Sequence, residues 1–189
     1  VSFFERKEIK DAVSYLRVLE NPADDLALER IINMPPRGIG QQAQAVLKRY
    51  AEVQNRRLIE TVSQADRIPE LGKSQKNVLD FAALLRECRR LKDTLDLPAF
   101  VEKLIAVTGL RAYYEKMGEK ENRPDELSPA ANLQELASAA QVYAATELEP
   151  TPAGFLAQVS LVSDVDTLDG DPDRCCLLTM HAAKGLEFA

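Results

Sequence analysis

The chain has 189 residues, of which 46% are hydrophobic and 29% charged, and a formal net charge of −6. These values are typical of a folded globular domain, and the negative charge argues against a protein that coats nucleic acid through bulk electrostatics. Three cysteines, two of them adjacent, provide neither a disulfide framework nor a metal-binding spacing. No apolar run is long enough to cross a membrane. We therefore expect a cytoplasmic protein without a metal site or a membrane partner.

Most of the chain shows apolar residues at the 3.6-residue spacing of amphipathic helices, which predicts a mainly α fold. Asp96, Ser128 and Thr151 are typical N-cap residues, and Gly109 is a typical helix stop. The helices predicted from this pattern cover about residues 9–19, 24–32, 41–50, 57–65, 74–91, 97–108, 110–117, 129–140 and 152–161. Residues 118–127 are too polar for a core and are predicted to form a loop.

Two short apolar segments depart from the helical pattern. Cys175–Met180 is a continuous apolar run followed by a glycine-containing turn, which is typical of a buried strand, and Val1–Phe4 is the other strand-like segment. An isolated strand leaves backbone groups unpaired at a cost of about 1–3 kcal/mol each. We therefore expect both segments to belong to one sheet, most of which lies outside this sequence, and the chain to be part of a longer protein.

Three apparent motifs lack the context that their chemistry needs. Gly72–Ser74 resembles the end of a phosphate-binding P-loop, but Arg67 stands where that motif needs glycine, so a helix start is predicted there. Gly38–Gly40 is not a dinucleotide fingerprint, because Ala43 replaces the last glycine and no strand precedes it. The aspartates between residues 164 and 173 miss the spacing of a calcium loop.

The segment Met34–Gln42 (MPPRGIGQQ) places two prolines, an arginine and a Gly-x-Gly turn directly before a helix. Glycines allow the backbone to approach a ligand closely, and the first N–H groups of a helix are unpaired donors at the positive end of its dipole. Such a turn can cradle a phosphate, and turns of this kind between helices hold duplex DNA by its backbone. An ordinary tight turn explains the same residues, and this segment alone leaves both interpretations open.

The last residues of the chain, Met180–Ala189 (MHAAKGLEFA), place polar side chains directly after the predicted strand. Thr179, His181 (the only histidine), Lys184 and Glu187 all lie within nine positions. Ligands of open α/β sheets bind at the carboxyl ends of the strands, so this cluster is a candidate ligand site. The alternative is an ordinary connection between a strand and a helix.

Residues 177–188 (LLTMHAAKGLEF) resemble motif V of superfamily 1 DNA helicases of the UvrD/PcrA/Rep type. Residues 3–40 (FFERKEIKDAVSYLRVLENPADDLALERIINMPPRGIG) resemble the stretch where the 2B subdomain of those enzymes begins, and Asn132–Leu136 also has a counterpart there. The resemblance implies a helical 2B-type subdomain at residues 5–173. It also implies short terminal strands left over from the RecA-like α/β domain 2A, at residues 1–4 and at residues 174–189, which contain motif V.

Enzymes of this family hydrolyse ATP with Mg²⁺ between domains 1A and 2A and move 3′ to 5′ along single-stranded DNA. The resemblance implies that Thr179 and His181 face the phosphates of the single strand and that Gly185 and Glu187 lie at the nucleotide, whereas it assigns no role to Lys184. The implied contacts with duplex DNA ahead of the fork come from Arg37, Gly38, Ile39 and Gly40, with Lys7 and Lys10 as further candidates.

The sequence contains no Walker A or Walker B motif and no arginine-containing motif VI. Phosphoryl transfer needs a phosphate cradle, metal ligands and charge-stabilising arginines, so we expect no ATP turnover and no bound cofactor in this chain alone. The implied partners are DNA, the helicase domains 1A, 1B and 2A, and DNA-repair proteins. The alternatives are a free-standing helical protein-interaction module and a separate helix-hairpin-helix DNA-binding module, neither with ATPase activity.

Overall fold

A computed structural model describes residues 3–121 and 128–166, and the mainly α prediction is confirmed over these ranges. Short 3₁₀ turns lie at Phe3–Glu5, Ala65–Arg67 and Pro69–Leu71. The α-helices of the described residues are α1 (Lys7–Glu20), α2 (Asp25–Ile31), α3 (Gln41–Val53), α4 (Leu58–Ser63), α5 (Ser74–Thr94), α6 (Leu97–Val107), α7 (Leu110–Glu121), α8 (Pro129–Thr146) and α9 (Pro152–Asp166). None of these helices is both long and apolar enough to cross a membrane.

The three predicted N-caps are confirmed. The side chain of Asp96 accepts a hydrogen bond from the N–H of residue 99 at 3.0 Å, and Ser128 accepts one from the N–H of residue 131 at 3.1 Å. Thr151 accepts one from the N–H of Gly154 at 3.1 Å. Each bond satisfies a helix N–H group that has no partner within its own helix, so local sequence alone places these starts.

Two predictions about local structure differ from the structure. Phe3 and Phe4 lie in a 3₁₀ turn rather than in a strand, because their rings meet edge to face at 5.0 Å and pack against the helical core. Helix α7 continues to Glu121, so the predicted loop at 118–127 begins as helix; its Glu and Lys residues are good helix formers that need no burial. The predicted strand Cys175–Met180 lies outside the described residues.

Helix α1 is the central element of the fold and packs against α2, α5, α7, α8 and α9. Its apolar face is almost completely inaccessible, with Ile9 and Tyr15 at 0% exposure and Leu16 at 1%. Polar residues of α1 are buried as well, since Glu8 is 7% exposed and Asp11 is 1% exposed. A helix surrounded in this way must pair its buried polar groups internally, because an unpaired buried carboxylate is strongly destabilising.

The buried carboxylates of α1 bind donors from three neighbouring helices. Asp11 accepts hydrogen bonds from the Tyr114 hydroxyl of α7 and from Arg30 Nε of α2, the latter at 2.7 Å. Glu8 accepts one from the Asn132 side-chain amide of α8. Burial, followed by the bond to Asp11, raises the pKa of Tyr114 above its ordinary value, so the hydroxyl remains a donor. These bonds fix α2, α7 and α8 around α1.

Replacing Asp11 by alanine is expected to lower the free energy of unfolding by about 3 kcal/mol, because the buried Tyr114 hydroxyl and the Arg30 guanidinium lose their shared acceptor. Urea denaturation followed by circular dichroism measures the change. The control is Arg90→Ala, which removes an exposed ion pair with Glu87 and should leave the midpoint unchanged. Equal midpoints for Asp11→Ala and the unmodified chain would contradict this role.

Candidate nucleic-acid interface

The segment between α2 and α3 forms a hairpin, residues 32–40, which is held closed by Asn33. The Asn33 side-chain oxygen accepts hydrogen bonds from the N–H groups of Arg37 at 2.8 Å and Ile39 at 3.1 Å. The Ile39 side chain is 0% exposed and anchors the hairpin in the core, while Gly38 has a positive φ of 73°. Asn33 was missed by the sequence analysis, although asparagine before a proline-rich turn is a typical turn former.

The Arg37 side chain is directed into the protein and holds the hairpin against α1 and the end of α6. Its guanidinium donates to the Tyr15 hydroxyl at 2.7 Å and to the carbonyl oxygens of Thr108 at 2.8 Å and Pro35 at 3.0 Å. It also lies over the rings of Tyr15 and Phe81, at 5.9 and 5.5 Å from their centroids. These contacts favour a positioning role for Arg37 over the direct phosphate contact that the resemblance implies.

Tyr15 connects Arg37 to the first half of the hairpin through two hydrogen bonds. Its hydroxyl accepts from Arg37 and donates to the carbonyl oxygen of Met34 at 2.7 Å. Burial raises the pKa of Tyr15 above its ordinary value, and the opposing effect of the Arg37 charge is smaller. Because the phenol stays protonated, it can serve as acceptor and donor at once.

The outer side of the hairpin is exposed to solvent, unlike its inner side. Gly38, Gly40, Gln41 and Gln42 are all exposed. Gly40 is the N-cap of α3 and makes no side-chain capping bond, and the first turn of α3 has no acidic residue. A Cβ added to Gly40 would meet no atom within 4 Å. The first two residues of this 13-residue helix, Gln41 and Gln42, are thus exposed, with the positive end of the helix dipole behind them.

The start of α5 lies directly beside this hairpin. The carbonyl oxygen of Gly38 accepts from the Ser74 hydroxyl at 3.3 Å and from the Asn77 amide at 3.4 Å. A Cβ on Gly38 would come within 2.6 Å of the Asn77 nitrogen, so only glycine fits this position without strain. The helix start predicted at Gly72–Ser74 is confirmed, because α5 begins at Ser74.

The remaining predicted site residues lie on α1 or outside the described residues. Lys7 is exposed at the start of α1, and Lys10 is paired with Glu5. Lys7 precedes Tyr15, the residue of α1 that contacts the hairpin, by eight residues, which is roughly 12 Å along a helix. The motif V residues Thr179, His181, Lys184, Gly185 and Glu187 lie outside the described residues.

The chain belongs to the UvrD-like helicase C-terminal domain family, whose match spans residues 1–189. It is similar to the ATP-dependent DNA helicase PcrA of Staphylococcus aureus strain Mu50, with 36% identity over 188 residues, and to that of Bacillus subtilis strain 168, with 31% identity over 192 residues. Each match covers 98% of this chain and 25% of the relative. The chain thus spans about a quarter of the length of these relatives, and the resemblance to UvrD/PcrA-type helicases is confirmed.

Arg37→Lys is expected to lower the free energy of unfolding by about 1–3 kcal/mol, because a single ammonium group cannot serve acceptors on Tyr15, Thr108 and Pro35 together. Thermal or urea denaturation measures the loss. The matched control is Arg49→Lys on the exposed side of α3, for which no change is expected. If Arg37→Lys preserved full stability, the hydrogen bonds of the Arg37 guanidinium would not be what holds the hairpin against α1 and α6.

Proposed function

We propose that residues 5–173 form the 2B subdomain of an ATP-dependent 3′–5′ DNA helicase and that the hairpin holds duplex DNA by the phosphate backbone. The observation that carries the proposal is the division of the hairpin into two sides. Ile39 and the Arg37 guanidinium face inward, whereas Gly38, Gly40 and the uncapped start of α3 face solvent. This arrangement leaves backbone N–H groups free to bind a phosphate.

Contacts of this kind position DNA without reading its sequence. Exposed N–H donors bind phosphate oxygens, which are the same at every base pair, so the hairpin should prefer duplex geometry and ignore base identity. Few phosphates are engaged, and the net charge of −6 opposes binding. The affinity of the chain alone should therefore be on the order of 10⁻⁴ M and should weaken as salt rises.

For the longer protein, the proposal follows the named relatives, which are ATP-dependent DNA helicases. ATP and Mg²⁺ would bind between helicase domains, with Glu187 and Gly185 at the nucleotide and Thr179 and His181 at the single strand. Motif V, at residues 177–188 within the 2A stretch 174–189, would then contact both ligands and couple hydrolysis to DNA movement. The partners would be DNA, domains 1A, 1B and 2A, and DNA-repair proteins in the cytoplasm. The family match along the whole chain favours this function over a free-standing interaction module.

Gly40→Ser is expected to strengthen the fold and weaken DNA binding. Serine fits the extended backbone of Gly40 (φ −72°, ψ 177°), and its hydroxyl can cap the first amides of α3, which stabilises a helix by a few tenths of a kcal/mol. The same hydroxyl would fill the space that a phosphate needs, and it would accept the hydrogen bonds that the first N–H groups of α3 would otherwise donate to the phosphate. Titration of a short duplex followed by NMR should show shifts at residues 36–44 for the unmodified chain and a clear loss of affinity for Gly40→Ser.

The matched control is Gly118→Ser on α7, where an added Cβ also meets no atom within 4 Å. This change should leave duplex affinity unaltered. Gly38→Val should abolish binding, but it also strains the positive φ and clashes with Asn77, so it is informative only beside the two serine variants. Shifts elsewhere in the unmodified chain, or no shifts at millimolar duplex, would remove the hairpin from the proposal.

The isolated chain is expected to show no DNA-stimulated ATP hydrolysis, because it lacks Walker A, Walker B and motif VI. A coupled phosphate-release assay with and without single-stranded DNA measures this. Turnover of even about one per second, which is ordinary for an enzyme, would reveal a complete active site in this chain and contradict the assignment.

A further inference from the structure

An apolar groove of about 480 Å³ is lined mainly by α8 and α9, and none of its lining residues belongs to the hairpin. The buried side chains of Tyr143, Phe155 and Val159 line it, and the rings of Tyr143 and Phe155 lie 5.7 Å apart. Phe4 lines it from the 3₁₀ turn before α1, and Val142, which also lines it, is 65% exposed. Within the described part of the chain, this apolar surface is therefore open to solvent.

The α8 side of the groove is a stripe of mostly small side chains. Its members recur at i, i+3, i+4, i+7 and i+11, which places them on one face of the helix over about 16 Å. They are Glu135, Ser138, Ala139, Val142 and Thr146. All of them except the half-buried Ala139 are exposed. Small side chains allow a second helix to approach to the usual 8–10 Å between axes, so this stripe has the shape of a helix-packing surface.

The charge of the groove is negative. Among the described residues that line it, Glu135 is the only charged one. Glu135 forms no ion pair with any described residue. Two more exposed acidic residues, Glu147 and Glu149, come directly after the end of α8. Negative charge repels phosphate and attracts cations, so the groove suits a positively charged partner and not DNA.

The groove fits a helix better than an extended peptide or a second copy of the chain. Extended peptides commonly bind by adding to the edge of a sheet, and the described residues contain no strand. A second copy would bring another acidic groove and a further net charge of −6, which opposes association through this surface. An amphipathic helix can lay its apolar face in a groove between helices without any backbone hydrogen bond to it.

We propose that this groove binds a basic amphipathic helix of a partner protein. The apolar face of that helix packs over Tyr143 and Phe155, and a lysine or arginine on its flank pairs with Glu135. The apolar contact supplies most of the affinity, because an exposed ion pair adds little. The inference does not depend on the proposed function of the hairpin, since the two surfaces share no residue.

The test uses a fluorescein-labelled synthetic peptide of about 16 residues, which is long enough for four helical turns. Its leucines form one face and its lysines flank that face. Anisotropy should show binding to the unmodified 189-residue chain, and Val142→Glu should weaken it by about tenfold or more, because a charge enters the apolar stripe. A peptide with glutamates in place of the lysines should bind more weakly, and Glu135→Lys should reverse this preference by a few-fold.

Leu26→Glu on α2 is the matched control, since Leu26 is 78% exposed and does not line the groove. It adds the same charge and should leave peptide affinity unaltered. Unfolding midpoints should be the same for both glutamate variants, because both positions are exposed. A scrambled peptide of the same composition has no apolar face and should not bind.

Four results would overturn the proposal. The first is no binding of the lysine peptide at millimolar concentration, and the second is an equal loss of affinity in Leu26→Glu and Val142→Glu, which would reduce the effect to net charge. The third is equal affinity for the lysine and glutamate peptides. The fourth is a dimer of the unmodified chain in sedimentation velocity that Val142→Glu dissociates, because a second copy would then occupy the groove.

Discussion

The candidate site depends on the hydrogen bonds that the Arg37 guanidinium donates. It joins three parts of the chain that are distant in sequence: the hairpin itself, Tyr15 of α1 and the carbonyl of Thr108 after α6. A charged group directed inward is tolerated only when its donors are paired, so these parts must be in place together. Because the side chains of Arg37 and Ile39 face the interior, Gly38 and Gly40 lie on the outside of the hairpin.

The hairpin is firmly anchored in the fold, but it can offer only a few contacts to DNA. A few exposed amides on an acidic chain would bind duplex weakly and without sequence preference. Weak binding suits a subdomain of a longer protein, because linked sites raise one another's effective concentration. In the proposed helicase, single-stranded DNA bound by the motor domains would keep the duplex near the hairpin.

Buried polar groups join the helices of the fold to one another, just as Arg37 joins the hairpin to the fold. Asp11 and Glu8 of α1 accept from Tyr114, Arg30 and Asn132, which come from α7, α2 and α8. The resemblance noted at Asn132–Leu136 thereby acquires a structural reason, since Asn132 is 4% exposed and bonded to α1. Leu133 and Leu136 of the same stretch are also buried, so these three residues support the fold.

The sequence by itself determined the mainly α fold, the N-caps at Asp96, Ser128 and Thr151, and the place of the hairpin, because these depend on periodicity and on bonds spanning three residues. Tertiary structure decided the direction of Arg37 and the seating of Gly38. The bond from Arg37 to Thr108 spans 71 residues and that from Ser74 to Gly38 spans 36. Tertiary packing also explains why Phe3 and Phe4, which were predicted to lie in a strand, form a 3₁₀ turn against the core. Local sequence carries no information on which distant acceptor a side chain meets, because packing of the helices brings the two together.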